Sequence, residues 1–442
     1  MGEYFFYRRH PVSRWEPAGS RKGKGKAKGG GRSSATRTPT AKPSPPPNLE
    51  LDIERLANDG SGIGHAADGR IVFVPGTAPG DRILARVTAS RRKLLRAEII
   101  EVLQPGADRV QPACSAFGRC GGCSWQHIAY PAQVAAKAEI LDNALRRIGG
   151  LDLPGPVTVM PSPEAYAYRG RARILVQQHR PGYRRAASED HVAVDECPIL
   201  TAPLQEALKQ LATSQPADGE WELALGEADA THPEGVRVLH LDGPDQGGEP
   251  LTLRAADQQI QIAAGGFAQA NPMLFDALIN AVASAVGRGE RLLELYAGAG
   301  FFTLTLASRF QHILAVESDT DAMANLKSAA RAAGIANIET RVADVESFLM
   351  PEKPGHSKAP VAPQFAPEVV FVDPPRAGLG AAVTARLCAS GPERLVYLSC
   401  DPATLARDLG QLQEGGWRLQ SVVGFDLFPQ TPHIEGLAVM LR

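Results

Sequence analysis

Two residues near the carboxyl end of this 442-residue chain have the types and settings that covalent chemistry requires. Cys400 closes the apolar run of LVYLSCDPAT, directly ahead of a helical pattern. A thiol at a helix N-terminus gains thiolate character, as a nucleophile needs. The same setting suits a buried structural cysteine, the reading given to Cys388. Glu435 lies in DLFPQTPHIE, two residues after His433, at the entry to the last predicted strand. Facing a cleft it would serve as a general base. Taken alone it reads as a solvated edge acid.

A second constellation spans LLELYAGAGFF (292–302). A predicted strand carries Glu294 and Tyr296, and Gly298-Ala299-Gly300 then turns into a helix. Such glycines let backbone approach a ligand at a strand's carboxyl end. The dinucleotide fingerprint asks for a third glycine, and Phe301-Phe302-Thr303 stands there instead, which disfavours a pyrophosphate ligand. Glu317 ends the next strand, where an acid can hold two ribose hydroxyls, and Asp344 follows the third, placed to meet an adenine. Gly-x-Gly with two acids at successive strand ends points to a nucleoside cofactor, for which S-adenosylmethionine fits best. The alternative is turn glycines with helix-capping acids. Asp373 closes the fourth strand in VFVDPPR, and Pro374-Pro375 fixes a rigid turn. Amino-group methyltransferases place an aromatic after Asp-Pro-Pro. Arg376 follows here, which argues against methylation of an exocyclic nitrogen.

The third constellation is Cys114-x5-Cys120-Gly-Gly-Cys123. Three thiols this close must meet a metal or each other, and Cys197 is the only other cysteine outside the α/β region. Four sulfurs fit tetrahedral zinc or an iron–sulfur cluster. A CxxC redox pair is the alternative. Six cysteines in 442 residues are no disulfide scaffold, which places the chain in a reducing cytoplasm.

The elements that position these residues divide the chain into four regions. Residues 1–47 hold 11 basic and 2 acidic residues in a Gly/Pro-rich sequence, a net +9, whereas the remainder carries −10. This arm is expected to be disordered, and it either contacts polyanions or solubilises the chain. Residues 48–105 read as four or five short strands with turn signals between them, an OB-like β-barrel. Gly60, Gly62 and Gly64 resemble a phosphate loop, but no helix follows, so a hairpin bend is expected. Residues 106–265 combine the cysteine segment, an amphipathic helix over 131–150 and a β-rich middle domain. Residues 266–442 alternate strand and helix and close with two strands, a doubly wound α/β sheet ending in a hairpin. The fold class is multidomain α/β + β. No run of 18 apolar residues occurs, so a membrane-spanning helix is not expected. The N-terminal residues lack a signal-peptide pattern, and Phe6 argues against N-myristoylation. No heptad is visible, so a monomer without an obligate protein partner is expected.

Taken together, residues 48–442 resemble the RNA (uracil-5-)-methyltransferases, in particular the branch acting on 23S ribosomal RNA. The resemblance rests on Cx5CGGC with a distant fourth cysteine, on FxQxN at Phe267, Gln269 and Asn271, on SCxPxTLARD at Ser399 to Asp408, and on FPxTxHxE at Phe428 to Glu435. It implies an N-terminal TRAM barrel, a [4Fe–4S] site at Cys114, Cys120, Cys123 and Cys197, and a C-terminal class I (Rossmann-like) methyltransferase domain. It implies Cys400 as nucleophile and Glu435 as base. Gln269, Tyr296, Gly298, Gly300, Phe301, Glu317, Asp344 and Asp373 would line the S-adenosylmethionine site, with Asp373 at the junction with uracil. Ala297 and Asp401 stand where Cys and Asn are common. The implied chemistry accounts for the residue types. Carbon 5 of uracil is a poor nucleophile until a thiolate adds to carbon 6, and a base must later remove the carbon 5 proton so that the thiol can leave. The target nucleotide must leave its stack to be reached. RNA, large-subunit rRNA first and transfer RNA second, is the expected partner. A non-catalytic RNA-binding module is the alternative from another class.

Overall fold

The computed structural model describes residues 48–153, 155–243, 250–349, 365–390 and 392–442. The disorder expected of the basic arm lies outside them, as do most of the Pro-rich 350–367 stretch and the end of the 212–250 stretch.

Six strands form the N-terminal barrel: β1 (Asn48–Asp52), β2 (Arg55–Leu56), β3 (Gly62–His65), β4 (Ile71–Val74), β5 (Arg82–Ser90) and β6 (Leu94–Gln104), in the order β1-β5-β6-β4-β3-β2. Alternation along β5 turns Ile83, Ala85 and Val87 inward, where they meet Val72, Val74, Leu95 and Ala97. The expected bend is present: Gly60 takes φ +84° in the turn before β3, and β3 runs straight into β4. Gly62 and Gly64 serve close strand crossing, since a Cβ would fall 2.0 Å from Thr77 Oγ1 and 2.6 Å from the Asp52 carbonyl.

Helix α1 (Tyr130–Arg147) begins with Pro131 in its first turn. It buries a stripe at helical spacing that includes Ala136, Ile140, Leu141 and Ala144. After it come β7 (Val159–Met160), β8 (Arg171–Gln177), β9 (Arg180–Arg184), β10 (His191–Ala193), α2 (Ala202–Thr213), β11 (Gly219–Leu225), β12 (Val236–His240) and the hairpin β13 (Leu251–Ala255)–β14 (Gln258–Ile262). Strands β8 to β12, without the hairpin, make an antiparallel sheet in the order β10-β9-β8-β11-β12. Leu204, Leu208 and Leu211 of α2 cover its Ala172, Ile174, Val176 and Leu223.

The remaining elements are α3 (Phe275–Val286), β15 (Gly289–Leu295), α4 (Thr303–Leu306), β16 (Phe310–Glu317), α5 (Thr320–Ala332), β17 (Ile338–Val342), α6 (Val345–Leu349), β18 (Val369–Val372), α7 (Gly380–Ser390), β19 (Arg394–Ser399), α8 (Pro402–Glu414), β20 (Arg418–Phe425) and β21 (Glu435–Leu441). They build an eight-stranded sheet in the order β17-β16-β15-β18-β19-β21-β20-β7. Strands β15 to β19 are parallel, and the central ones, buried on both faces, read as apolar runs such as VVFV, while the edge strand β17 is mostly exposed. The expected closing hairpin is present, with β21 inserted antiparallel between β19 and β20. Three features cross the 265 boundary, the first being β7, which pairs parallel to β20. Helix α1 lies on α8, so close that a Cβ on Gly410 would fall 2.6 Å from the Gly149 carbonyl. The β13–β14 hairpin puts Ile260 and Ile262 into the core beside Leu278 and Val282.

Candidate active site

Strand order reverses between β15 and β18, and α/β sheets bind ligands in the crevice outside the strand ends at such a switch. The backbone there has left the strand conformation. Tyr296 takes φ +64°, unusual for a residue with a side chain, and Gly298 and Gly300 take +54° and +90°. The two glycines do different jobs. A Cβ on Gly300 would strike Leu326 at 2.4 Å, so Gly300 permits helix packing. A Cβ on Gly298 would meet nothing within 4 Å, which leaves a cradle open for a ligand. Glu317, one strand over, accepts the Gly298 N–H at 3.1 Å on one oxygen and the Ser318 and Asp319 N–H groups on the other. That ties the carboxylate to the glycine loop at the strand end. Asp344 is exposed and caps α6 through Ser347 N–H at 2.9 Å. The ring of Phe301 packs edge-on against Phe275 and Phe302, with centroids 5.1 and 5.0 Å away. Gln269 is almost buried, Phe267 is 63% exposed, and the buried Asn271 caps the following turn through Met273 N–H at 3.1 Å. These residues fit an adenosine-type cofactor by the open cradle and the acid beside it.

The thiol lies on the other side of the switch. Ser399 pairs with Gly436 across β19 and β21, which puts Cys400 and Glu435 opposite one another at the next register position. Val372 pairs with Tyr397, so Asp373 leaves the neighbouring strand end toward the same place. Cys400 and Asp373 are partly exposed, and Glu435 is 3% exposed. Burial drives the carboxyls of Glu435 and Asp373 upward, Asp373 raises Glu435 further, and Arg376 opposes this at Glu435. Glu294 is buried behind them, one of its oxygens has no hydrogen-bond partner, and burial pushes it up to about 8.

The expected activation of Cys400 by its helix is not what the fold delivers. Burial pushes the thiol up to about 12, and Glu435, Asp373 and Asp401 add to the rise while Arg376 lowers it. Desolvation is the largest cause, and the neighbouring acids act in the same direction. Asp401 caps α8, accepting from Ala403 and Thr404 N–H at 3.0 and 2.8 Å, which an Asn would do equally well. Arg376 is the group that sequence reasoning undervalues: it is the cation among these acids, within 3.5 Å of His433 Nε2. Its signal in the sequence is the place directly after Asp-Pro-Pro, where it counts only as a departure from the amino-group pattern.

Cys114, Cys120, Cys123 and Cys197 gather at one edge of the middle-domain core. All four are free thiols. Burial pushes Cys123 up to about 12, with Cys197 and Cys120 adding to the rise and Arg169 opposing it. Gly121 permits contact with the β9 turn, where a Cβ would sit 3.1 Å from the Ala186 backbone. Gly122 N–H points at Cys120 Sγ at 3.4 Å. Among the described residues no side-chain group converges as a single metal ion requires.

Comparison with known proteins agrees with this geometry. A family model described as tRNA (Uracil-5-)-methyltransferase matches residues 246–442, and a TRAM domain model matches residues 48–100. The chain is 36% identical to the 23S rRNA (uracil(1939)-C(5))-methyltransferase RlmD of Pseudomonas putida, covering 88% of this chain and 92% of the relative. It is 31% identical to an uncharacterized RNA methyltransferase of Streptomyces coelicolor, with the same coverage of each. A crystal structure of a Pyrococcus abyssi tRNA (uracil-54, C5)-methyltransferase in complex with S-adenosyl-L-homocysteine shares the fold, with a TM-score of 0.66 at 24% identity, over 89% of this chain and 100% of that one.

Proposed function

The chain belongs to the RNA (uracil-5-)-methyltransferase family, and from that premise we propose that it methylates 23S ribosomal RNA at the uridine for which its Pseudomonas relatives are named, position 1939. It is an S-adenosylmethionine-dependent enzyme with an N-terminal TRAM domain. The observation that carries the reading is the pairing of Ser399 with Gly436, which sets a thiol and a carboxyl face to face at the sheet's ligand-binding end.

In this reading the Cys400 thiol gives up its proton to solvent and its sulfur adds to carbon 6 of the flipped uracil. Bound S-adenosylmethionine supplies an electrophilic methyl group. Its adenosine is held by Gln269, Tyr296, Gly298, Gly300, Phe301, Glu317 and Asp344, with Phe301 contributing backbone because its ring is engaged in packing. Glu435 removes the carbon 5 proton, the bond from sulfur to carbon 6 breaks, and the ring double bond re-forms. Asp373 orients the reacting groups, and Arg376 offsets negative charge as the thiol ionises. The four gathered cysteines hold a [4Fe–4S] cluster with a structural role. Arg169 beside them supports that reading, since thiolate ligands accumulate negative charge. The free thiols and an RNA substrate suit the cytoplasm, and the enzyme acts as a monomer.

The test uses S-adenosylmethionine with a labelled methyl group, undermodified total RNA, and wild type against Cys400→Ala. Label in 5-methyluridine of large-subunit RNA, absent with the variant, is the expected result. Label in the transfer RNA fraction would keep the chemistry and overturn the substrate. For the cluster, the expected readout is a brown protein with broad absorbance at about 400 nm, bleached in the Cys114→Ser variant while methylation persists. A colourless, iron-free protein purified without oxygen would contradict it.

A further inference from the structure

Glu435 is reached through residues 426–434, an irregular segment between β20 and β21. Two polar side chains on the buried face of α1 hold that segment. The carboxamide of Gln133 makes a reciprocal pair with Gln430: Gln133 Nε2 donates to Gln430 Oε1 and Gln430 N–H donates to Gln133 Oε1, both at 2.9 Å. This steadies a residue at φ +68°, a conformation unfavourable for one with a Cβ. One turn on, the fully buried Lys137 ammonium meets Asp426 Oδ1 at 2.5 Å and the Phe428 carbonyl at 3.1 Å. From there the bonds continue toward the base. Phe428 O accepts from Thr431 Oγ1 at 2.7 Å, and Thr431 Oγ1 accepts from His433 N–H at 3.3 Å, two residues short of Glu435.

Positions 133 and 137 lie on the stripe of α1 that an amphipathic helix would fill with apolar residues. A buried ammonium is costly unless paired, and an apolar pair of the same volume would stabilise as well or better. Stability alone therefore does not call for these two residues. Cys400 has supports of its own in the pairing of β19 with β18 and in the Asp401 cap of α8, though β19 also pairs with the strand that Glu435 opens. We propose that Gln133 and Lys137 are positioning residues for Glu435, acting through residues 426–433 on proton removal and not on thiol addition. The proposal rests on the reading of Glu435 as the base.

The experiment separates the two steps. RNA carrying tritium at uracil carbon 5 is mixed with enzyme and S-adenosylmethionine labelled in the methyl group, and methyl transferred is compared with tritium released in one turnover. In the wild type the two run together. Glu435→Gln should transfer methyl, release tritium slowly, and leave a denaturation-resistant enzyme–RNA adduct. Gln133→Leu should do the same to a smaller degree, with tritium release slowed about ten-fold, a fraction of the roughly 10²–10⁴-fold a general base contributes, and adduct formation within about two-fold of wild type. Lys137→Met alone would bury an unpaired carboxylate, so the double variant Lys137→Met/Asp426→Leu replaces the ion pair by an apolar pair that keeps the fold. It should behave like Gln133→Leu. Tritium release in step with methyl transfer in both would overturn the proposal and leave Glu435 as base. Equal loss of adduct formation and tritium release would also overturn it, by reducing α1 to a structural support. Wild-type tritium release by Glu435→Gln would remove the base reading and the proposal together.

Discussion

In the proposed mechanism the chemistry turns on Cys400, and burial holds its thiol toward the protonated form. With Cys400 pushed up to about 12 by burial and neighbouring acids, the free enzyme holds little thiolate at neutral pH. Alkylation of Cys400 by iodoacetamide, followed by peptide mass mapping, should be slow at pH 7 and still rising above pH 9. Arg376→Ala should slow it further, because among the neighbouring charges Arg376 favours the thiolate. A plateau reached by pH 7 would contradict this. Glu294 carries the opposite linkage. Its carboxyl is raised from 4.5 to about 8, so the folded state keeps a proton that the unfolded chain releases. The acid therefore costs stability progressively as pH rises across that window, and nothing below it. Glu294→Gln should melt higher than wild type at pH 8, by about 2–4 °C for each kcal/mol recovered, and the difference should shrink toward pH 5. The positions of Cys400 and Glu435 at strand ends were legible in the sequence, because each sits beside local punctuation. The ionisation of Cys400 was not. A helix start is local, whereas burial and two of the three opposing acids arrive with β18 and β21.

At the scale of elements, the turn after β15 has glycines with separable roles. Gly298→Ala introduces a Cβ into open space at positive φ, which costs about 1–2 kcal/mol of backbone strain. It should weaken S-adenosylmethionine binding, measured by calorimetry, more than it lowers the melting temperature. Gly300→Ala drives a Cβ into Leu326 and should show the reverse balance. Equal effects of the two on binding and melting would contradict the assignment. Five parallel strands, the closing hairpin and the amphipathic α1 were all readable from apolar periodicity. Strand β7 was not, since two residues carry no period. Nor was the seating of α1 on α8, which depends on Gly149 meeting Gly410 across 261 positions of sequence. The buried Lys137 escaped for the same reason: its partner Asp426 lies 289 positions away.

At the scale of the whole molecule, three units meet at one residue. The indole N–H of Trp125 donates to the barrel's Gly60 carbonyl at 3.0 Å, its backbone N–H donates to Gln430 O at 3.0 Å, and its ring lies 5.8 Å from the Lys137 ammonium. The cysteine segment, the barrel and the 426–434 segment are thereby joined two residues from Cys123. RNA capture should draw on charge spread over the barrel and the N-terminal arm. The exposed tip between β5 and β6 carries Arg91, Arg92 and Lys93. Replacing Arg92 and Lys93 by Ala should weaken RNA binding and lower the slope of log Kd against log salt, by about 0.7–0.9 for each phosphate that is no longer neutralised. An unchanged slope would place the RNA elsewhere. The barrel at 48–105 and the C-terminal α/β region were legible from composition and rhythm, and the family from four separated motifs. The meeting of Cys400, Glu435 and Asp373 at one end of the sheet required the fold.

The most direct test of the central claim is covalent capture. A 23S rRNA fragment containing the target uridine as 5-fluorouridine offers no removable proton at carbon 5, so an enzyme that adds Cys400 to carbon 6 and methylates carbon 5 cannot complete elimination. The expected product is a complex between protein and RNA that survives denaturing electrophoresis, requires S-adenosylmethionine, and maps by mass spectrometry to the peptide holding Cys400. It should be absent with Cys400→Ala and with a fragment in which only that uridine is cytidine. No such complex from folded wild-type enzyme, or one mapping to a different cysteine, would contradict the assignment of Cys400 as nucleophile.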